Sequence, residues 1–388
     1  MKNVAIIGGL GHIGLTLAAV MHDFYNIVLI DINREAVVKF NLKKEPSFYE
    51  PFLDDILKES VNIEATTDIS RIVSCEYIVI TIGTPVDEYL NPKISPLFKL
   101  FESMKEYFTN QTIILRSTIH PGITKKIEKK YSTVNIAFCP ERIAGGRMIE
   151  ELYKLPQIIS GNNDKAIDSA CEFFKPLGIN LIILNNTTSG ELAKLMTNAY
   201  RYIHFAISNQ FFMLAQEAGC NFYDIYNAMT EEYPRMESFP KPFWTSGYCL
   251  RKDTIQLAAW KSTNTFSLGY DASIINEMLP LFVFRKIREK YSNIQDLTIG
   301  LLGMAFKAGV DDTRDSLAFR MKKILENEIK EVLCHDPYIK NDNFIDVNTL
   351  IHKSDLIILM CNHKQYEKLK IDKPVIDLLN FYGNGIGL

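Results

Sequence analysis

Cys249 stands in the run Gly247-Tyr248-Cys249-Leu250-Arg251-Lys252-Asp253-Thr254, which gathers a thiol, an ammonium and a carboxylate into one short segment. A cysteine alone says little, because most are small buried hydrophobes. This chain also opens on Gly9-Leu10-Gly11-His12-Ile13-Gly14, a match to the G-x-G-x-x-G dinucleotide fingerprint. A nicotinamide cofactor accepts hydride, and a nearby thiolate can hold the resulting aldehyde covalently for a second oxidation. Together the two features predict an alcohol taken to an acid, not only to a carbonyl. If a helix begins at Gly247, Cys249 and Asp253 share a face, and a cysteine at a helix N-terminus is activated as its thiolate.

Further candidates fall at helical spacing. Glu191, Lys194 and Asn198 lie at i, i+3 and i+7, on one stripe. Lys194 and Asn198 sit among Leu195, Met196 and Tyr200, so the pattern places them inside the protein. A buried Lys beside a reacting oxygen stabilises developing negative charge and lowers the pKa of a neighbouring thiol. Glu191 reads equally as the partner of Lys194 in a solvated surface pair. Pro140-Glu141-Arg142 follows the apolar run 136–139, which puts Glu141 at a sheet edge, suited to general-base work on water.

In the fingerprint, Gly9 makes the tight turn, Gly11 lets the backbone approach a pyrophosphate and Gly14 permits close helix–strand packing. Leu10, His12 and Ile13 complete it, with His12 read as a surface residue of the following helix. Asp31 lies 20 residues after Gly11 and ends the second predicted strand. Its carboxylate suits ribose hydroxyls and repels a 2′-phosphate, which favours NAD over NADP; Arg34 weakens that preference slightly. The loops Gly83-Thr84-Pro85 and Ser117-Thr118-Ile119-His120-Pro121-Gly122 leave the carboxyl ends of strands, where such sheets bind ligands, although Gly and Pro serve turns in any case.

These residues need a scaffold. Short apolar runs at 2–8, 27–30, 77–82, 112–116, 133–138 and 157–160 read as buried strands alternating with helices, hence a doubly wound parallel sheet. From 187 to about 219 a long helical pattern without Pro follows, with an apolar stripe too wide for a lone surface helix. Helices are predicted near 221–229 and 273–291, and strands at 296–303, 331–334, 356–360 and 375–377. The expected fold is α/β: two Rossmann-like doubly wound parallel-sheet domains joined by a long central helix and a helical dimerisation region. The expected domains are 1–186 for NAD, 187–292 for the central helices and the cysteine loop, and 293–388 for a nucleotide sugar. Composition agrees with a globular chain: 388 residues, 47% hydrophobic, net charge −3 from 43 basic and 46 acidic residues. That balance gives no electrostatic case for nucleic acid or an anionic membrane. Seven scattered cysteines without CxxC pairs indicate neither a disulfide framework nor a metal site, and fit a reducing cytoplasm. No signal peptide and no apolar run of membrane-spanning length is apparent.

With these residues in place, the chain resembles the UDP-glucose/GDP-mannose dehydrogenase family of nucleotide-sugar 6-dehydrogenases, over essentially its whole length and in motif order. The matching pieces are the N-terminal fingerprint, Gly83-Thr84-Pro85, Ser117-Thr118 with Pro121-Gly122, Pro140-Glu141, Glu191-Leu192-Ala193-Lys194 with Asn198, and the Gly247–Asp253 run. Gly303-Met304-Ala305-Phe306-Lys307 and Asp311-Asp312-Thr313-Arg314-Asp315-Ser316 complete the series. The resemblance implies oxidation of a sugar carbon-6 alcohol to a carboxylate with two NAD and one water. It implies that Cys249 forms a thiohemiacetal and then a thioester, that Lys194 and Asn198 stabilise the oxyanion, and that Glu141, Asp253 and Thr118 handle protons and water. Thr84, Thr118 and Arg314 would contact the cofactor. Glu141, Arg142, Lys194, Asn198, Gly247 and Lys307 would contact a UDP-sugar, and Arg235 would reach a neighbouring subunit's sugar across a homodimer formed by the central helices.

The chain departs from the family pattern at Phe243-Trp244-Thr245-Ser246, where glycines are common, and at Tyr248, Arg251 and Ala36. Trp244 is expected to narrow the pocket or pack on the sugar. Cys139-Pro140-Glu141-Arg142 resembles the branch acting on UDP-N-acetylhexosamines, with UDP-glucose as the alternative substrate; Arg142 could bond an acetamido oxygen or a phosphate, or form an ordinary surface or interdomain ion pair. Two other activities remain open: a two-electron hydroxyacid dehydrogenase, which needs neither Cys249 nor Glu141, and a catalytically silent nucleotide-sugar sensor. We predict that Cys249→Ala abolishes acid formation while NAD still binds. Turnover assays paired with NAD titration check this, and unchanged turnover would exclude the thiol as nucleophile.

Overall fold

The protein is described from a computed structural model covering residues 1–43, 45–46, 48–87, 92–260 and 265–388. It divides into two compact units, Met1–Thr197 and Asn198–Leu388.

The first unit is built on eight strands: β1 (Lys2–Ile7), β2 (Tyr25–Ile30), β3 (Ile63–Thr66), β4 (Tyr77–Ile80), β5 (Thr112–Leu115), β6 (Asn135–Phe138), β7 (Gln157–Gly161) and β8 (Leu181–Leu184). Their order is β3-β2-β1-β4-β5-β6-β7-β8. Side chains of β1 alternate between two cores: Val4 and Ile6 pack with Leu29 and Val79 on one face, and Ala5 and Ile7 with Ile30 and Ile80 on the other. Burial on both faces is why these strands read as unbroken apolar runs rather than alternating ones. Each buried Ile, Leu or Val contributes about 1.5–3 kcal/mol, which makes the sheet a rigid platform. The direction of strand order reverses between β1 and β4, so the carboxyl ends of these two strands flank the crevice where such sheets bind ligands.

The sheet is not wholly parallel, as the sequence suggested. β7 runs antiparallel to β6, with Phe138 opposite Ser160 and Ala137 opposite Gly161. The connecting segment carries only the short helix Met148–Leu152, which packs into the core on the Val4 and Ile6 face, and the chain re-enters the sheet in the opposite sense. Two strands, β3 and β8, were not anticipated. β3 is only four residues long, and β8 is an edge strand whose Ile182 and Ile183 stay largely exposed.

In the second unit, β9 (Thr298–Leu302), β10 (Glu331–His335), β11 (Leu356–Leu359) and β12 (Val375–Ile376) form an all-parallel sheet in the order β10-β9-β11-β12. The predicted strands lie at these positions. The long helix, Thr187–Glu217, crosses the boundary between the units; the helices Tyr248–Ala258 and Leu268–Lys290 pack with its second half. Trp244 corrects an expectation. It belongs to the apolar core of this unit, is 2% exposed, and donates its indole N–H to the Leu359 carbonyl at 2.8 Å. A tryptophan so placed packs the core and does not line a pocket. Among the described residues no helix is long and apolar enough to cross a membrane.

Glu191 also corrects a reading. It is fully buried and makes no surface pair with Lys194. Its Oε1 accepts from Thr124 N at 2.8 Å and Thr124 Oγ1 at 2.7 Å, and its Oε2 accepts from Gly122 N. The long helix thereby caps the N-terminus of the helix Ile123–Lys130 and holds the loop that carries Thr118. Burial pushes this carboxyl above its ordinary value, partly offset by the Gly122 and Thr124 bonds. We predict that Glu191→Ala, which leaves buried donors unpaired, destabilises the protein by about 2–4 kcal/mol, with Glu191→Gln milder. Urea denaturation measures this, and a loss below about 0.5 kcal/mol would deny the cap its role.

Candidate active site

The dinucleotide fingerprint is a cradle that only glycine permits at two positions. A Cβ on Gly9 would lie 2.7 Å from the Ile6 carbonyl oxygen, and one on Gly14 would lie 2.6 Å from that of Gly8. The helix His12–Met21 starts at Gly11 without a side-chain cap, so its first N–H groups remain available to an anion. Asp31, just past β2, accepts from Leu10 N at 3.3 Å and Asn33 N at 3.0 Å, which holds its carboxylate beside the glycine loop. His12 is partly buried and stacks on Phe48, centroids 4.0 Å apart, rather than lying free on the surface; Ile13 packs toward the core. Arg34 is exposed at the first position of its helix. Thr84 Oγ1 donates to the Thr118 carbonyl and Ser117 Oγ to that of Ile82, so the two loops at the sheet's carboxyl edge are tied together. This constellation fits a dinucleotide: open N–H groups for the pyrophosphate and a carboxylate for a ribose.

Along the same edge, Glu141 Oε1 lies 3.2 Å from Lys194 Nζ, and Glu141 Oε2 accepts from Ile143 N at 3.1 Å. The side chains are only 12% and 6% exposed, so this ion pair is shielded from solvent and held in one geometry. Sequence spacing could not show it, because 53 residues separate the partners. Arg142 donates to the Pro156 carbonyl rather than forming an ion pair. Arg116 is fully buried beneath this loop, bonds Gln157 Oε1 at 2.8 Å and lies 5.3 Å from the Phe174 ring centroid. Burial lowers its pKa and the charge of Glu141 opposes that. Glu50 was missed altogether. Its two oxygens each accept at 2.6 Å, from Met148 N and Gly146 N, clamping the loop that begins at Glu141. Nothing in the local pattern marks it, since a lone Glu before a proline reads as a turn residue.

In the second unit, the helix Tyr248–Ala258 does begin at Gly247. Gly247 has φ +95°, and a Cβ there would lie 2.6 Å from Phe306 Cδ2, so no other residue fits. Cys249 is the second residue of the helix and is exposed. One turn on, Asp253 is 1% exposed, accepts from Asn198 Nδ2 at 2.6 Å and lies 2.8 Å from Lys252 Nζ. The loop before the cysteine is also fastened to the long helix: Asn209 exchanges two bonds with the Phe243 backbone, and Ser208 Oγ donates to the Pro240 carbonyl. Asn209 and Ser208 escaped the sequence reading because a buried polar residue on an apolar helix is recognised only when its partner is known.

Arg314 forms a forked pair with Asp312, at 2.6–3.1 Å, which raises its pKa, and Cys249 contributes in the same direction. Its guanidinium lies 5.7 Å from the Tyr248 ring centroid, so in this unit it is a neighbour of the cysteine helix. Lys307 is partly exposed, near the Phe306 ring. Arg235 is exposed and stacks on Tyr233. The first unit provides a shielded carboxylate–ammonium pair, Glu141 with Lys194, and the second an exposed thiol at a helix start with a buried carboxylate, Asp253, one turn on. These groups suffice for nucleophilic addition to a carbonyl, oxyanion stabilisation and proton transfer.

Comparison with known proteins agrees. The NAD binding domain of the UDP-glucose/GDP-mannose dehydrogenase family matches residues 2–178, its central domain 188–279 and its UDP binding domain 300–384. The UDP-N-acetyl-D-mannosamine dehydrogenase of Methanocaldococcus jannaschii is 30% identical over 94% of this chain and 87% of its own length. That of Pyrococcus horikoshii is 28% identical over 93% of this chain and 90% of its own. The solved structure of the Pyrococcus horikoshii enzyme superposes with a TM-score of 0.88, covering 98% of this chain and 96% of that one. A UDP-glucose dehydrogenase from Pyrobaculum islandicum, 19% identical, shares the fold at the same TM-score, over 98% of this chain and 94% of its own. The chain belongs to the UDP-glucose/GDP-mannose dehydrogenase family and is an NAD-dependent nucleotide-sugar dehydrogenase.

Proposed function

We propose that the enzyme oxidises the carbon-6 alcohol of a UDP-N-acetylhexosamine to the uronate in a four-electron reaction. The observation that carries this reading is the buried bond from Asn198 to Asp253, one helical turn from the exposed Cys249. A two-electron dehydrogenase needs no thiol at that place. The mannosamine dehydrogenases among its relatives support the N-acetylhexosamine.

NAD, when bound, accepts the hydride. Gly9, Gly11, Gly14, Asp31 and Thr84 would hold it, and Arg314 would contact it. Glu141 or Asp253 takes the alcohol proton as the first hydride leaves carbon 6. Cys249 Sγ then adds to the aldehyde, and Lys194 and Asn198 stabilise the oxyanion of the thiohemiacetal. After exchange of the reduced cofactor, loss of the second hydride to a second NAD leaves a thioester. A water placed by Thr118 and deprotonated by Glu141 attacks that thioester, the carbon–sulfur bond breaks, and the thiol is regenerated with the acid. Arg142, Gly247 and Lys307 contact the sugar nucleotide.

The functional segments are 1–186 for NAD, 187–292 for the cysteine helix and subunit contact, and 293–388 for the nucleotide. Met196, Tyr200, Ile207, Phe211 and Leu214 leave apolar surface exposed along the long helix, as a homodimer interface would, with Arg235 directed to the partner's substrate. The enzyme acts in the cytoplasm, where thiols stay reduced, and supplies uronates for polysaccharide synthesis.

The test is NADH release against UDP-N-acetylmannosamine, UDP-N-acetylglucosamine, UDP-N-acetylgalactosamine, UDP-glucose and GDP-mannose. We expect the highest kcat/KM with one of the UDP-N-acetylhexosamines and two NADH per sugar consumed. One NADH with accumulating aldehyde would sink the four-electron reading, and preference for UDP-glucose would reassign the substrate.

A further inference from the structure

The carboxyl ends of β9, β10 and β11 converge on one buried carboxylate, Asp336. Its Oδ2 accepts from Met304 N at 2.7 Å and Ala305 N at 2.9 Å, both just after β9. Its Oδ1 accepts from Tyr338 N at 2.9 Å and Ile339 N at 3.3 Å, after β10. The remaining donor comes from beyond β11: His363 Nε2 lies 3.1 Å from Oδ2, and both side chains are wholly buried. Burial pushes this carboxyl up, but His363 and the backbone donors more than offset it, so Asp336 stays below its ordinary value.

The second nitrogen of His363 points elsewhere. His363 Nδ1 accepts from Gly309 N at 3.2 Å. Because a backbone N–H can only donate, Nδ1 carries no proton, and the ring proton sits on Nε2 facing Asp336. The Tyr338 and Tyr366 rings pack against the imidazole, with centroids 5.1 and 5.5 Å away. Gly309 has φ +74° and lies two residues past Lys307. One imidazole thus joins the anchored carboxylate to Gly309, at the far end of the loop 303–309. Strand order in this sheet reverses between β9 and β11, which makes this edge its ligand crevice.

We propose that His363 is a positioning residue for nucleotide-sugar binding, which holds the Lys307-bearing loop at the edge of the second sheet by relaying the fixed position of Asp336 to Gly309. It does not touch substrate. The proposal rests on reading this sheet as the nucleotide-sugar domain.

The test is calorimetric titration of the full-length enzyme and its variants with UDP, and separately with NAD. His363→Gln retains a donor toward Asp336 but offers nothing at the Nδ1 position, whereas His363→Asn can place its amide oxygen there. We expect His363→Gln to weaken UDP binding about tenfold, the loss of roughly one buried hydrogen bond, with NAD affinity within about twofold of wild type. His363→Asn keeps the acceptor for Gly309 but is too short to reach Asp336, and should weaken UDP binding to a similar extent, again with NAD binding unchanged. A purely structural role would instead weaken both ligands together in both variants, and that result overturns the proposal, as does unchanged UDP binding in His363→Gln. Should His363→Gln fail to fold, His363→Asn decides alone: a roughly tenfold loss of UDP affinity with NAD affinity unchanged supports the relay, and near-wild-type UDP affinity overturns it. If the wild-type enzyme itself does not bind UDP, the nucleotide-sugar reading of this sheet fails instead.

Discussion

The helix that begins at Gly247 is held by a hydrogen bond of 2.6 Å between Asn198 and Asp253, made out of reach of water. Asn198 stands on the long helix, and Asp253 on the helix that begins with the cysteine run. A carboxylate taken out of water must be met by donors or it neutralises. Asp253 Oδ2 accepts from Asn198, and Oδ1, without a hydrogen bond of its own among the described residues, faces the Lys252 ammonium at 2.8 Å, so sliding of the helix carrying Cys249 past Asn198 would break the hydrogen bond between them. Such a bond, worth about 1.5–3 kcal/mol, costs much more if only one partner is removed. Ser208 and Asn209 repeat the device about three turns further along, pinning the loop before the cysteine by its backbone.

The long helix is therefore an organising element whose buried face is polar at chosen points. Its Glu191 caps the helix after the Thr118 loop, its Lys194 meets Glu141, and its Asn198 meets Asp253. Each interaction ties a polar group of another element of the same unit to the helix, where a buried partner fixes its direction. Asp336 follows the same logic in the second unit, where one buried anion organises three strand ends. Buried carboxylates recur because a fixed negative charge gathers several N–H groups, and loop backbones otherwise lack partners.

Much of this was legible. Strands buried on both faces appear as apolar runs, and the long helix as an extended 3.6-residue period, because burial and geometry act directly on local composition. The fingerprint was legible because Gly9 and Gly14 face backbone atoms at distances no Cβ tolerates. Other features were not. The antiparallel return of β7, the edge strand β8 and the core position of Trp244 depend on where distant segments lie. Glu191 was read as half of a neighbouring pair, since spacing along a helix says which residues are adjacent and not which way a carboxylate turns.

By itself, the amino-acid sequence determined the classes of element, the dinucleotide turn, and the side chains available for reaction: Cys249, Lys194, Asn198, Asp253 and Glu141. These follow from short-range rules of periodicity, steric allowance at glycine, and intrinsic reactivity. The tertiary structure alone decided the partnerships, in which Glu141 took Lys194, Asn198 took Asp253, Glu50 closed the loop after Glu141, and His363 joined Asp336 to Gly309. The physical reason is that a buried charge or amide selects its partner by distance and direction in three dimensions, and those are settled only when the apolar cores have brought remote segments together.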